Sequence, residues 1–124
     1  MNFKREALNL SGGKAELITI QTNEQNSLTR PTMTELANIL KEIQADDSYK
    51  GAILTSENPK FFSNGLDAET LINTPPDELV DAVGGICLLF GEMLRFDKPL
   101  VTEVTGHAMG GGAVMTMASD YKYM

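Results

Sequence analysis

Hydrophobic and polar positions switch repeatedly between strand-like and helix-like periods along this chain, and each change marks an element. Phe3 to Leu10 is mixed in polarity, Ser11-Gly12-Gly13-Lys14 carries turn chemistry, and Glu16-Leu-Ile-Thr-Ile-Gln-Thr22 is β-branched and half alternating. That pattern predicts two strands joined by a tight turn. After a loop rich in Asn and Gln, Met33, Leu36, Ala37, Leu40 and Ile43 recur at helical spacing, with Pro31 and a Thr32-Met-Thr-Glu35 capping box in front. An amphipathic helix over 32–45 is expected. Gly51-Ala-Ile-Leu-Thr-Ser56 is short and mostly apolar, as in a strand covered on both faces.

A loop, Glu57 to Asp67, leaves that strand. Pro75-Pro76 then precede an acidic-capped helix from about Asp77 to Arg95, apolar on most sides and weakened locally by Gly84 and Gly85. Leu100 to Val104 is the next strand, and it runs through Thr105-Gly-His-Ala-Met-Gly-Gly-Gly112 into a helix apolar nearly all round, which predicts burial. A last strand begins at Tyr121. The alternation predicts an α/β chain with a parallel sheet and helical crossovers.

Composition narrows the class without naming a function. A chain of 124 residues with 42% hydrophobic and 22% charged side chains excludes wholesale disorder and two full domains, and builds one modest core. Ten Lys+Arg against seventeen Asp+Glu leave a formal charge of −7, against the clustered positive charge that nucleic-acid binding needs. A small anion held by a few lysines or a helix N-terminus stays open. Cys87, the only cysteine, excludes an intrachain disulfide and points to a reducing compartment. In its apolar helical run it reads as a core thiol rather than a nucleophile. MNFKREALNL lacks a signal-peptide core, and the apolar run Ala82 to Gly91 is too short for a bilayer. A cytoplasmic protein with no membrane or nucleic-acid partner is expected.

Two glycine-bearing loops carry the candidate chemistry: Lys60-Phe-Phe-Ser-Asn-Gly-Leu-Asp67 and Gly106-His-Ala-Met-Gly-Gly-Gly112. Each follows a predicted strand, where ligands bind in open α/β sheets. Successive glycines opening a helix leave bare N–H groups, aided by the helix dipole, that suit a phosphate or a developing oxyanion. Close packing alone is the competing explanation for such a turn. Gly106, Gly110 and Gly112 do not have GxGxxG spacing, and no Gly-Lys-Ser/Thr follows, so both nucleotide-loop readings fail.

The succession Asn26-Ser-Leu28, Lys60 to Asp67, and Lys98-Pro-Leu-Val-Thr-Glu-Val-Thr-Gly-His-Ala-Met-Gly-Gly-Gly112 resembles the crotonase (enoyl-CoA hydratase/isomerase) superfamily from about residue 15 onward, and Asp120 fits as well. The wording Phe-Phe-Ser-Asn-Gly-Leu-Asp and Val-Thr-Gly-His is similar to the enoyl-CoA delta-isomerase branch. The resemblance implies a crotonase-like spiral of ββα units, an acyl-CoA thioester as partner, and a role in fatty acid metabolism. It implies no metal and no separate cofactor, coenzyme A being part of the substrate. Two backbone N–H groups that polarise the thioester carbonyl fall on Leu66 and Gly111. Backbone from Asn64 through Gly65, Leu66 and Asp67 to Ala68 meets CoA, with Gly110 beside the second donor. Lys60 either approaches the CoA phosphates or is a solvated surface lysine, and Asp67 braces its loop rather than acting as a base.

Departures from the family pattern bear on the reaction. Hydratases of the family carry a glutamate three positions after the middle glycine, where this chain has Val114. Without it, a two-carboxylate addition of water loses one partner. The single glutamate that isomerases use lies beyond the final strand in the family, past Met124. The resemblance therefore implies an enoyl-CoA isomerase working through an enolate in a backbone oxyanion hole; a catalytically silent acyl-CoA binder or partner subunit is the alternative. A Clp-like serine peptidase, which shares the spiral, is disfavoured because Met109-Gly110-Gly111-Gly112 offers no serine.

Asp77, Glu78, Asp81, Glu92 and Glu103 are expected to be structural charges, and His107 to position or pack its loop rather than serve as a base. Met109, Met115 and Met117 are expected to fill the core or wall an acyl pocket. Residues 1–124 are expected to be a partial crotonase-like domain, either a fragment or a chain completed by its partners. A homo-oligomer, trimer or hexamer, is the family expectation for the full chain.

Overall fold

A computed structural model describes residues 2–124. Strands β1 (Phe3–Leu10) and β2 (Gly13–Ile20) form the antiparallel hairpin that the turn chemistry predicted. β4 (Tyr49–Ser56), β7 (Leu100–Glu103) and β9 (Tyr121–Tyr123) then add in parallel, in the order β1-β2-β4-β7-β9. Helices α1 (Arg30–Ala45), α3 (Pro76–Arg95) and α4 (Gly111–Ala118) make the crossovers. Short pieces fill the loops: β3 (Ser27–Leu28), β5 (Phe61–Ser63), β6 (Gly65–Leu66), α2 (Ala68–Ile72) and β8 (His107–Ala108). The pairs β3–β6 and β5–β8 form two small parallel sheets. Strands of two or three residues are too short to show a period in the sequence, which reads as loop there.

One apolar core lies between the large sheet and the helices. Ile18, Ile20 and Leu54 from the strands meet Leu36, Leu40 and Ile43 of α1 and Leu89 and Met93 of α3, all fully buried. The expected amphipathic stripe of α1 is therefore the packed one. The helix starts earlier than expected, because Thr29 rather than Thr32 is its N-cap. Thr29 is extended, and the Thr29 N–H donates to Thr32 Oγ1 (2.8 Å), closing a reciprocal box. Pro31 sits in the first turn, where a missing N–H costs nothing. At the other end Lys98 Nζ donates to the carbonyls of Ile43 (2.7 Å) and Asp46 (2.8 Å), a cation on the negative helix terminus.

Three burial expectations are corrected. On α3 the buried positions are Gly85, Leu89 and Met93, a four-residue stripe against α1, and Cys87 on another face is exposed. Gly85 also has a packing role. It lets Met33 and Arg30 of α1 close in, since a Cβ there would stand 2.7 Å from Met33 Cε. Helix α4 is buried on one side only, through Gly111, Gly112, Met115 and Ala118; Met117 is 71% exposed, and Met109 in the preceding loop 60%. An apolar surface is buried only where a neighbour covers it, and composition does not say where neighbours stand. Among the described residues no helix is long and apolar enough to cross a membrane.

A polar cluster borders the core on the face of the sheet that α1 covers. Glu16, only 4% exposed, accepts from Arg5 Nε (2.8 Å) and from the Tyr49 hydroxyl (3.2 Å), and Arg5 also reaches Glu42 of α1 (2.6 Å). These bonds compensate a desolvated carboxylate and tie β1, β2, β4 and α1 together.

Two measurements test this arrangement. Leu54→Ala opens a cavity in the central strand and is expected to lower stability by about 2–5 kcal/mol in urea melts. Burial, and then the charge and hydrogen bond of Glu16, hold the Tyr49 phenol above its ordinary value of 10.0. Because the folded value exceeds the unfolded one, this contribution is complete below pH 10.0 and is lost as pH rises through the raised folded value. Tyr49→Phe is expected to flatten the alkaline loss of stability; an unchanged alkaline slope would contradict it.

Candidate functional site

The two glycine-bearing loops emerge at the carboxyl ends of neighbouring parallel strands, β4 and β7, and meet. The first passes through β5 and β6, the second through β8 into α4. Phe61 pairs with His107 and Ser63 with Ala108, so the loops run side by side, with a bulge between Phe61 and Ser63. They touch at Gly65 and Gly111. Gly65 has φ +81°, and a Cβ on it would lie 2.4 Å from the Gly111 nitrogen and 2.8 Å from the Met109 carbonyl oxygen. Both the backbone conformation and the approach exclude a side chain.

Two amides at this contact face out of the local hydrogen-bond pattern. Leu28 is the register partner of Leu66, and the Asp67 N–H donates to the Leu28 carbonyl (2.8 Å). In a parallel ladder the residue between such bonds turns its own N–H and C=O to the opposite side, so the Leu66 amide points away from β3. Gly111 is the first residue of α4, with Gly110 (φ +54°) as N-cap. The Gly112 N–H donates to the Met109 carbonyl (2.9 Å) and the Val114 N–H to that of Gly110 (3.0 Å). The Gly111 N–H has no acceptor within the helix and sits at its positive end. Around Gly111 the closest side chains are Ile86 of α3 and Leu28, at 3.1 and 3.5 Å from where a Cβ would stand. Apolar walls of this kind strengthen an amide's pull on a nearby oxygen.

The remaining candidates fall around this contact at different depths. Asn64 is half-buried, with an Oδ1 that has no hydrogen-bond partner among the described residues, and its N–H donates to the Gln25 carbonyl (3.1 Å). Asp67 is the N-cap residue of α2, but its carboxylate accepts from the Thr70 hydroxyl, which braces the short helix that opens at exposed Ala68. Lys60 is exposed, its ammonium 5.4 Å from the centre of the Phe61 ring. His107 is exposed too and packs its ring 5.8 Å from the same Phe61, the positional role expected of it.

The acids take structural partners. Asp81 pairs with Arg30 (3.4 Å), Glu92 with Arg95 (2.8 Å), and Glu103 accepts from Thr55 Oγ1 (3.0 Å), while Asp77 and Glu78 lie on the exposed first turn of α3. Val114 is half-buried on α4. Among the described residues no group of three or more His, Cys, Asp or Glu side chains is placed to hold a metal ion. An open cleft of about 490 Å³ lies over α2, lined by Asp67, Thr70, Asn73 and Glu78. A second, of about 480 Å³, lies at the amino end of β7 between Lys98 and Tyr121, away from both loops.

Residues that pattern reading did not single out as site groups hold the loops from behind. Asn26 is buried in the left-handed region at φ +50°, and Asn26 Nδ2 donates to Ser56 Oγ (2.8 Å) and to the Phe62 carbonyl (3.2 Å). Its place in an Asn-Gln-rich loop, where Asn tolerates positive φ, was the available signal.

The loop contact predicts a sharp asymmetry between glycines. Gly65→Ala is expected to cost about 1–3 kcal/mol in thermal or urea melts, as other overpacking changes do. Gly12→Ala, in open space with nothing within 4 Å of its Cβ, is the matched control and should be near neutral.

Comparison with known proteins agrees with this architecture. The family model described as "Enoyl-CoA hydratase/isomerase" matches residues 13–124. Carnitinyl-CoA dehydratase of Escherichia coli K12 is 29% identical over 117 residues, which is 94% of this chain and 44% of that protein. Mitochondrial enoyl-CoA delta isomerase 1 of Rattus norvegicus is 30% identical over 99 residues, 80% of this chain and 34% of that protein. The crystal structure of an enoyl-CoA hydratase from Bacillus anthracis superposes with a TM-score of 0.87 at 24% identity, covering 98% of this chain and 46% of that one. The chain thus spans less than half the length of the curated relatives it matches. With a crotonase-like α/β fold and the family pattern running from the β-hairpin to the last strand, the chain belongs to the enoyl-CoA hydratase/isomerase family.

Proposed function

We propose that the backbone amides of Leu66 and Gly111 form an oxyanion hole for the thioester carbonyl of an acyl-CoA. What supports this is the contact of Gly65 with Gly111: it sets a loop whose next amide, that of Leu66, faces away from β3 against a helix N-terminus whose first amide has no acceptor within the helix. Donors fixed before the reaction stabilise charge as it develops on the carbonyl oxygen, which lowers the barrier to removing a proton from the adjacent carbon. Backbone from Asn64 to Ala68, which reaches the open cleft at Asp67, is the segment proposed to meet CoA, with Lys60 exposed at the start of the loop. Family membership supports an acyl-CoA substrate.

The reaction proposed is double-bond isomerisation of an enoyl-CoA. A base takes the α-proton, the enolate is held by the two amides, and a proton returns at another carbon. Val114, an apolar side chain where the hydratase pattern has a glutamate, favours this over addition of water. A cytoplasmic homo-oligomer, trimer or hexamer, belongs to the same proposal.

A second reading, an acyl-CoA binder without turnover, is favoured by the structural engagement of the acids at the site: Asp67 is held by Thr70 and Asp81 by Arg30. A proton-transfer assay separates the two. Wild-type protein should convert a 3-enoyl-CoA to the conjugated 2-enoyl thioester, followed by ultraviolet absorbance. Gly111→Pro, which deletes one donor and also sets ring atoms against Gly65, should lower the rate by at least about 10²–10³-fold, with a urea melt run alongside to read the cost of that crowding. Full activity in that variant would overturn the oxyanion-hole assignment. Calorimetric binding of the thioester by wild type with no conversion would select the silent binder.

A further inference from the structure

The two proposed donors sit on different loops, so their spacing has to be held by something that touches both. The described hydrogen bonds converge on one residue. Ser63 is completely buried, and its hydroxyl both donates to the Asn26 carbonyl (2.7 Å) and accepts from the Gly65 N–H (3.1 Å). Its carbonyl oxygen accepts from the Met109 N–H (3.0 Å), two residues before Gly111. The same oxygen is packed so closely by α4 that a Cβ on Gly112 would stand 2.1 Å from it. The side chain of Ser63 thus governs the peptide that precedes Leu66, and its main chain governs the turn that delivers Gly111.

Behind Ser63 stands Asn26, whose carbonyl takes the serine proton and whose amide group holds Ser56 and the Phe62 carbonyl. A hydroxyl has one proton and two lone pairs, and here the proton is directed to Asn26, which leaves an acceptor aimed at the Gly65 amide. Asn26 therefore sets the direction of the Ser63 hydroxyl, and the hydroxyl sets the Gly65 amide.

We propose that Ser63 is a positioning residue for the oxyanion hole: it acts through the Gly65 N–H on one side and the Met109 N–H on the other to fix the separation of the Leu66 and Gly111 donors, with Asn26 orienting its hydroxyl. This rests on the acyl-CoA reading above and goes beyond it by assigning the element that makes two loops into one electrostatic site. A small error in such spacing weakens the pull on the carbonyl without removing a contact to the rest of the ligand.

The test reads carbonyl polarisation directly. Crotonyl-CoA is bound to wild-type protein, and the thioester C=O stretch is followed by Raman difference spectroscopy, with free CoA, which has no acyl carbonyl, as a binding control. Wild type is expected to shift the stretch to lower frequency. Ser63→Ala is expected to lose most of that shift while binding free CoA as wild type does. Ser63→Cys, close to the same size with a weak acceptor, gives the same comparison if the alanine variant does not fold. Thr102→Val removes a different buried hydroxyl, bonded to Ser119 (2.8 Å), and should lower stability yet leave the shift intact. A full shift in a folded Ser63 variant, or an equal loss in Thr102→Val, overturns the positioning role and leaves the oxyanion-hole reading standing. No shift in wild type overturns that reading, and the positioning role with it.

Discussion

The approach of Gly65 to Gly111 is the constraint on which the rest of this structure depends. Two loops from adjacent strands can meet backbone to backbone only where neither carries a Cβ, and the distances here leave no room for one. Gly112, seated against the Ser63 carbonyl, extends the same requirement by a turn of helix. Parallel strands β4 and β7 bring both loops out at one edge of the sheet. The short pairs β3–β6 and β5–β8 then steer them together. What the fold produces is a pair of amides rather than a set of side chains. Such a site keeps its chemistry while the residues around it vary, because main-chain N–H groups are the same at every position.

That arrangement also accounts for where the polar interior lies. Asn26, Ser56 and Ser63 are buried at the loops, where irregular backbone leaves carbonyls and amides that helices and strands do not satisfy. The apolar core, from Ile18 and Leu54 to Leu89 and Met115, supports the loops from below and supplies most of the stability. Lys98 and Asp120 tie the opposite end of β7. Lys98 closes α1, and Asp120 exchanges two bonds of 2.8 Å with the backbone of Leu100. One end of the sheet is thus anchored by Lys98 and Asp120, and the other carries the two glycine-bearing loops.

Much of this was legible in the residues. The β-hairpin followed from Ser11-Gly12-Gly13-Lys14, α1 from the spacing of Met33 to Ile43, and α3 from its prolines and acidic first turn. The glycine loops were legible because glycine runs at strand ends have a narrow set of uses. Other features were not. The N-cap at Thr29 rather than Thr32 depended on how the chain enters α1, and two threonines three apart offer the same chemistry in either register. Cys87 and Met117 were expected inside because their helices are apolar on most sides, and both are exposed. The bonding of Ser63 to Asn26, thirty-seven residues away, has no local signature at all.

By itself the sequence determined the order of elements, the parallel α/β class and the two backbone stretches able to present bare amides. These follow from local periodicity, turn chemistry and the absence of side chains at glycine, which act over a few residues. Tertiary structure alone decided which apolar faces are covered, which loop residues pair into short strands, and that Gly65 meets Gly111 with Ser63 bonded to both loops. Those outcomes are set by contacts between segments far apart in the chain, whose geometry no local pattern encodes.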